Sequence, residues 1–100
     1  MVLTTVADMR TARRLSRGLV TARLAACVTV VPGVVSCYRW KRKLERSHEA
    51  LLIIKTNRKS WPKLSAYVRK RHPYELPELI ALPVLFGLKE YLSWLSDSLR

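Results

Sequence analysis

The residues best suited to chemistry fall in one run, His72-Pro73-Tyr74-Glu75-Leu76-Pro77-Glu78. A His-x-x-Glu-x-x-Glu spacing would align an imidazole and two carboxylates on one helix face, a donor set that suits copper or zinc. Pro73 and Pro77 forbid a regular helix there and push the residues before them into extended backbone, so the run is predicted to be an ordered turn leading into a strand. Two readings stand side by side. In one, His72 is a metal ligand assisted by Glu75 and Glu78. In the other, Tyr74 and the prolines fix a loop while His72 and the glutamates are merely solvated.

A second cluster, Tyr38-Arg39-Trp40-Lys41, interleaves aromatic rings with cations. Such a cluster would stack on a base or nucleotide, but Tyr, Trp and Arg are also the residues enriched at protein interfaces, and that is the reading taken. Cys27, after Ala25-Ala26 at the entry to an apolar run, reads as a small core residue. Two cysteines, Cys27 and Cys37, are too few for a disulfide scaffold and are expected to be reduced thiols. His48, between Ser47 and Glu49, reads as surface. The chain has no Gly-rich phosphate loop, no Cys-x-x-Cys and no His-Glu-x-x-His, and no serine in a nucleophile-elbow context. No nucleophile, base and orienting group can be assembled, so the chain is read as non-enzymatic.

The elements that must position these residues follow from periodicity. Val2 to Val6 is a β-branched, Thr-rich strand. Asp8 is an N-cap for a helix whose stripe of Ala12, Leu15, Leu19, Ala22 and Ala26 faces a core, with Arg10, Arg13, Arg14 and Arg17 on the opposite side. Cys27 to Trp40 is strand, interrupted at Pro32-Gly33. Val31-Pro32-Gly33-Val34 taken alone resembles a type II turn that would pair Val28 with Cys37. Lys41-Arg42-Lys43 is a polar break, and Glu49 to Thr56 a further strand. Ser60 is expected to cap a second helix, with Pro62 in its first turn and Trp61, Leu64 and Val68 inward. Leu79 to Val84 is predicted as the last strand, and Gly87 precedes a terminal helix with Leu88, Tyr91, Leu92, Leu95 and Leu99 on one side. The order β-α-β-β-α-β plus a C-terminal helix is the split βαβ, ferredoxin-like α+β arrangement in one domain, residues 1–100.

Composition bounds the rest. Apolar residues make up 49% of 100 residues, a globular share. A domain this small has a thin margin of stability, and long strands leave edges that a second copy would cover. The longest apolar stretch, Leu24 to Val35, falls well short of a membrane span, and Met1 to Val6 lacks the basic flank and cleavage site of a secretory signal, so a cytoplasmic protein is expected. Nineteen Lys and Arg against seven Asp and Glu give +12, and nine basic residues separate Asp8 from Glu45 with no acid between. Such a field attracts anions.

Several motifs occur together and in order: Leu24-Ala25-Ala26-Cys27-Val28, Val31-Pro32-Gly33, Tyr38-Arg39-Trp40-Lys41, Ile53-Ile54-Lys55-Thr56, His72-Pro73-Tyr74-Glu75-Leu76-Pro77-Glu78-Leu79, Leu82-Pro83-Val84 and Tyr91-Leu92-Ser93-Trp94-Leu95. Over nearly its full length the chain resembles the CutA divalent-cation tolerance family. The resemblance implies a ferredoxin-like protomer in a tight homotrimer, similar in architecture to PII signalling proteins, with long strands paired between subunits and Pro32-Gly33 kinking one continuous strand. It also implies a cytoplasmic role in tolerance of copper and other heavy metals, with no established catalysis. The family histidine of the His-Pro-Tyr motif corresponds to His72. Where copper-binding members offer a cysteine and a second histidine, this chain has Thr4 and Arg71; the usual glycine of the hairpin tip is Arg42, and the family's acidic helix start is Met9-Arg10.

The expected assignment is a trimeric metal-tolerance protein with copper as the candidate cation. His72, Glu75 and Glu78 are its metal donors, near a cleft of Cys27, Tyr38, Trp40, Lys55 and Tyr74. The alternative is a PII-like signalling or scaffold trimer holding an anion or partner protein in clefts between subunits. Nonspecific nucleic-acid binding, which the basic charge also allows, ranks below both.

Overall fold

The computed structural model describes residues 1–100. Its elements are β1 (Val2–Val6), α1 (Met9–Thr21), β2 (Cys27–Trp40), β3 (Lys43–Lys55), α2 (Trp61–Arg71), β4 (Ile80–Ala81) and α3 (Lys89–Ser98). One antiparallel sheet has the strand order β2-β3-β1-β4, so the predicted ferredoxin-like α+β arrangement is present.

Register decides which residues form the core. Val2 stands opposite Ile54 and Thr4 opposite Leu52, while Val28 and Val30 meet the same two β3 residues from the other side. Directly opposed residues point to the same face. That face, with Val6 and Ala50, is buried under Ala12, Leu15 and Leu19 of α1 and Leu64 and Val68 of α2. The expected α1 stripe therefore holds through Leu19. Ala22 and Ala26 lie beyond the helix, which ends at Thr21, and Ala22 is exposed. Asp8 caps α1 as expected, its Oδ1 accepting from the Thr11 N–H at 2.7 Å.

Four local expectations are corrected. Pro32-Gly33 does not close the turn that its residues taken alone suggest; it kinks one continuous strand, as the resemblance implies. β2 runs through it with a bulge, two residues opposite Ala50, so Val28 pairs with Ile54 and Cys37 with Arg46. Proline has no N–H to give a ladder and Gly33 takes φ +70°, a left-handed conformation open to glycine, and both suit a bulge. The chain reverses instead at Lys41-Arg42, and β3 begins at Lys43 rather than near Glu49. Beyond Glu49, β2 and β3 form a two-stranded arm with no third strand beside it.

Ser60 makes no side-chain cap for α2. Asn57 does the local work, its Oδ1 accepting from Ser60 N–H at 2.9 Å over a 3-10 turn, Arg58–Ser60. Pro62 sits in the first turn of α2 as predicted. The last strand is two residues long rather than six, extended only by the paired Met1 and Leu82 backbone groups. Residues 83–88 have no partner strand, and no residue of α3 is fully buried.

Candidate functional site

The loop after α2 is tied down at three points. His72 is only 7% exposed and Pro73, behind it, ends the helix. His72 Nε2 lies 2.8 Å from the Thr5 carbonyl and Nδ1 3.1 Å from the Tyr74 backbone N–H. A carbonyl only accepts and a backbone N–H only donates, so the ring is the neutral Nε2–H tautomer with both nitrogens engaged. The Tyr74 hydroxyl donates to Glu49 Oε2 at 2.7 Å. Thr4 Oγ1, fully buried, donates to the Glu78 carbonyl at 2.6 Å. Partial burial, and then the adjacent Glu49 carboxylate that accepts its hydrogen bond, push the Tyr74 phenol well above its ordinary value.

This anchored loop forms one wall of a cleft of about 830 Å³, and the β2–β3 arm forms the other. The arm contributes Cys37, Tyr38, Arg39, Trp40 and Glu49; the loop contributes Tyr74, Glu75 and Glu78. Ser36, Tyr38 and Trp40 pair with Ser47, Glu45 and Lys43, which share a strand face with Glu49. By the same alternation this face also carries Leu51 and Ile53, opposite to the helices. Tyr38 is held by a 2.8 Å hydrogen bond between its hydroxyl and Ser47 Oγ.

Of the expected cleft residues, Tyr38, Trp40 and Tyr74 line it, as do the expected donors Glu75 and Glu78. Cys27 and Lys55 pair with each other at the far end of the sheet, where Lys55 Nζ donates to Thr29 Oγ1 at 2.9 Å. His72 stands behind the loop rather than in the cleft. No three His, Cys, Asp or Glu side chains converge closely enough to hold a metal ion within one chain. A single protomer therefore does not assemble the His72, Glu75 and Glu78 set, and His72 offers no free ring nitrogen. Thr4 and Arg71 are likewise occupied elsewhere: Thr4 secures the loop, and Arg71 stacks on Tyr67 at 3.7 Å.

Thr5, Ser36, Cys37 and Glu49 line the cleft although the pattern of residues did not single them out for it. The turn reading of Pro32-Gly33 taken alone hides Cys37, whereas the continuous, kinked strand that the resemblance implies brings it beside the loop. Glu49 had a weak signal in being a lone acid at the start of an apolar strand. Three of the chain's seven acidic residues, Glu49, Glu75 and Glu78, line this one cleft, and Arg39 is its only cation.

Comparison with known proteins gives the same picture along the whole chain. Residues 1–98 match the family described as CutA1 divalent ion tolerance protein. A divalent-cation tolerance protein CutA of Thermus thermophilus is 45% identical over 98 residues, spanning 98% of this chain and 95% of that protein. The CutA crystal structure from Xylella fastidiosa superposes with a TM-score of 0.96 at 44% identity, covering 99% of this chain and 95% of that one. A periplasmic divalent cation tolerance protein CutA from Archaeoglobus fulgidus superposes with a TM-score of 0.96 at 30% identity, covering 99% and 96%. The ordered sequence motifs, the β2-β3-β1-β4 sheet and the full-length match agree, and the chain belongs to the CutA1 divalent ion tolerance family.

Proposed function

We propose that the protein serves divalent-cation tolerance as a homotrimer that takes up a cation, copper foremost, in the cleft between arm and loop, with a binding rather than catalytic role. The observation that carries the cation reading is the cleft's composition. In a chain of net charge +12, three of seven acids gather around one opening, and Cys37 is among its lining residues. Thiolate and carboxylate together suit a borderline-soft ion such as copper. The donors of one chain do not converge, so the site is completed between subunits.

Surface area supports self-assembly. A folded chain of 11.6 kDa exposes about 5,800 Å² by the usual scaling, whereas this one exposes 7390 Å². The excess of roughly 1,600 Å² is comparable to two standard contact patches of about 800 Å² each, the number a closed ring requires of each subunit. The unsupported β2–β3 arm and the open sheet face with Leu3, Val31, Leu51 and Ile53 are the surfaces such contacts would cover. The PII-like alternative, an anion held in the same cleft, has only Arg39 to recognise it. No helix is long and apolar enough to cross a membrane. Both cysteines are free, which favours a cytoplasmic setting.

Titrating copper into purified protein by calorimetry tests the reading. Saturable uptake is expected, lost in Cys37→Ser and in Glu75→Gln/Glu78→Gln. Absence of uptake, or equal uptake in those variants, defeats it.

A further inference from the structure

On the opposite side of the sheet from the cleft, α1 and α2 enclose a second, smaller pocket of about 240 Å³, lined by Thr11, Arg14, Leu15, Tyr67 and Arg71. The local sequence is arranged to build it. Gly18 lies inside α1, where glycine is unfavourable relative to alanine. A Cβ there would meet the Tyr67 hydroxyl at 2.0 Å, so the glycine is what lets that ring seat against α1. Arg71, one turn further along α2, stacks its guanidinium on the Tyr67 ring at 3.7 Å. Stacking fixes the plane of the guanidinium and leaves its in-plane N–H donors free.

No carboxylate lines this pocket. The chain's one ion pair joins Arg100 and Asp97 at 3.6 Å, so neither Arg14 nor Arg71 makes a contact ion pair within its own chain, although the Asp8 carboxylate feels the Arg14 charge. Two guanidinium groups and the Tyr67 hydroxyl thus surround one opening as free donors, while the Thr11 hydroxyl beside them is held by the Asp8 carboxylate. Arg10 and Arg17, exposed on the same helix and one turn to either side of Arg14, continue the positive charge beyond the pocket. α1 has no acid in its first turn, and its Asp8 cap is engaged by the Thr11 N–H.

We propose that this pocket binds a phosphate group, and that the flanking arginine row lets it take that group from a linear phosphate chain as well as from free phosphate. Fork-shaped guanidinium groups match the oxygens of phosphate, and a stacked arginine loses little freedom in binding it. The exposed part of the site carries no free aromatic ring, since the Tyr67 face is covered by Arg71, so it recognises phosphate and not bases. The site is independent of the cation reading above and lies on the sheet face that the proposed assembly leaves uncovered.

Calorimetric titration of orthophosphate and, separately, of inorganic polyphosphate into the intact protein tests this. Saturable binding is expected, stronger for polyphosphate and falling with salt. Arg14→Gln or Arg71→Gln should weaken it about tenfold or more, the loss of one charge-assisted contact. Arg71→Lys, which keeps the charge but not the stacked fork, should also weaken it. Arg46→Gln, which removes an equal charge from the arm, should change it less than about twofold. Circular dichroism of each variant shows that it is folded. Orthophosphate binding lost in Arg71→Gln supports the pocket with free phosphate as the source; binding of polyphosphate alone supports it with the chain as the source. No binding of either, or equal weakening by Arg46→Gln and Arg71→Gln, overturns the proposal.

Discussion

The Tyr74 hydroxyl donates to Glu49 Oε2 at 2.7 Å, joining the loop after α2 to the middle of β3 across 25 residues of chain. Glu49 is only 7% exposed, so this donor is much of what keeps its carboxylate satisfied. Tyr74→Phe should lower stability by about 1.5–3 kcal/mol in urea unfolding, the range for a hydrogen bond to a charged group. Adding Glu49→Gln should recover part of that loss, because the isosteric amide removes the buried charge.

The same bond has a pH signature. The phenol is raised above its ordinary 10.0 in the folded chain. A group whose folded value is raised contributes stability that is complete below the unfolded value and lost as pH climbs through the folded one. Thermal stability of the parent protein should therefore fall as pH rises above about 10, and Tyr74→Phe should flatten that decline. An unchanged alkaline profile in the variant would assign the decline to other groups.

Asp8 has the opposite sign. Hydrogen bonds from Thr11 hold its carboxyl below the ordinary 3.8. Its contribution is present above that value and lost as pH drops through the lower, folded one. Asp8→Asn keeps the cap acceptor but not the titration. Its acid unfolding curve should lose a small step below pH 3.8 while its neutral-pH stability stays close to that of the parent.

What could be read from the residues divides along local and distant causes. The α1 stripe through Leu19, the Asp8 cap and the inward Leu64 and Val68 rest on spacings within a few residues, and they hold. The β3 start was missed because Lys43 to His48 lie in the arm, where neither face is deeply buried and no alternation marks a strand. Leu79 to Val84 has strand composition, but only two residues find a partner within the chain. His72 was legible as important but not in its role: what fixes its ring is the Thr5 carbonyl, 67 residues away, which no spacing reveals.

The hairpin tip is a place where the chain departs from easy geometry. Lys41 and Arg42 take φ +49° and +70°, a two-residue turn of the kind that favours Asn-Gly. Left-handed backbone costs a side-chain-bearing residue roughly 1–2 kcal/mol, partly offset by the extra freedom that glycine has when unfolded. Lys41→Asn/Arg42→Gly should raise stability by about 1 kcal/mol and shift the unfolding midpoint upward by several degrees. A lowered midpoint would mean that the two cations make contacts worth more than the strain.

Phe86 is 91% exposed and its neighbour Leu85 80% exposed, within a segment that has no partner strand. In a lone subunit, replacing so exposed a ring removes no packing, and Phe86→Ser should be neutral or slightly favourable. In the proposed trimer the ring is covered by a neighbouring chain, and the same change removes buried apolar area from the contacts between subunits. Light scattering should therefore give three times the 11.6 kDa chain mass for the parent, and a lower, concentration-dependent mass for Phe86→Ser together with a lower melting temperature. Lys63→Glu on the outer face of α2 should leave the mass unchanged. A parent protein that remains one chain at micromolar concentration, with Phe86→Ser as stable as the parent, would remove the assembly and with it the cleft completed between subunits.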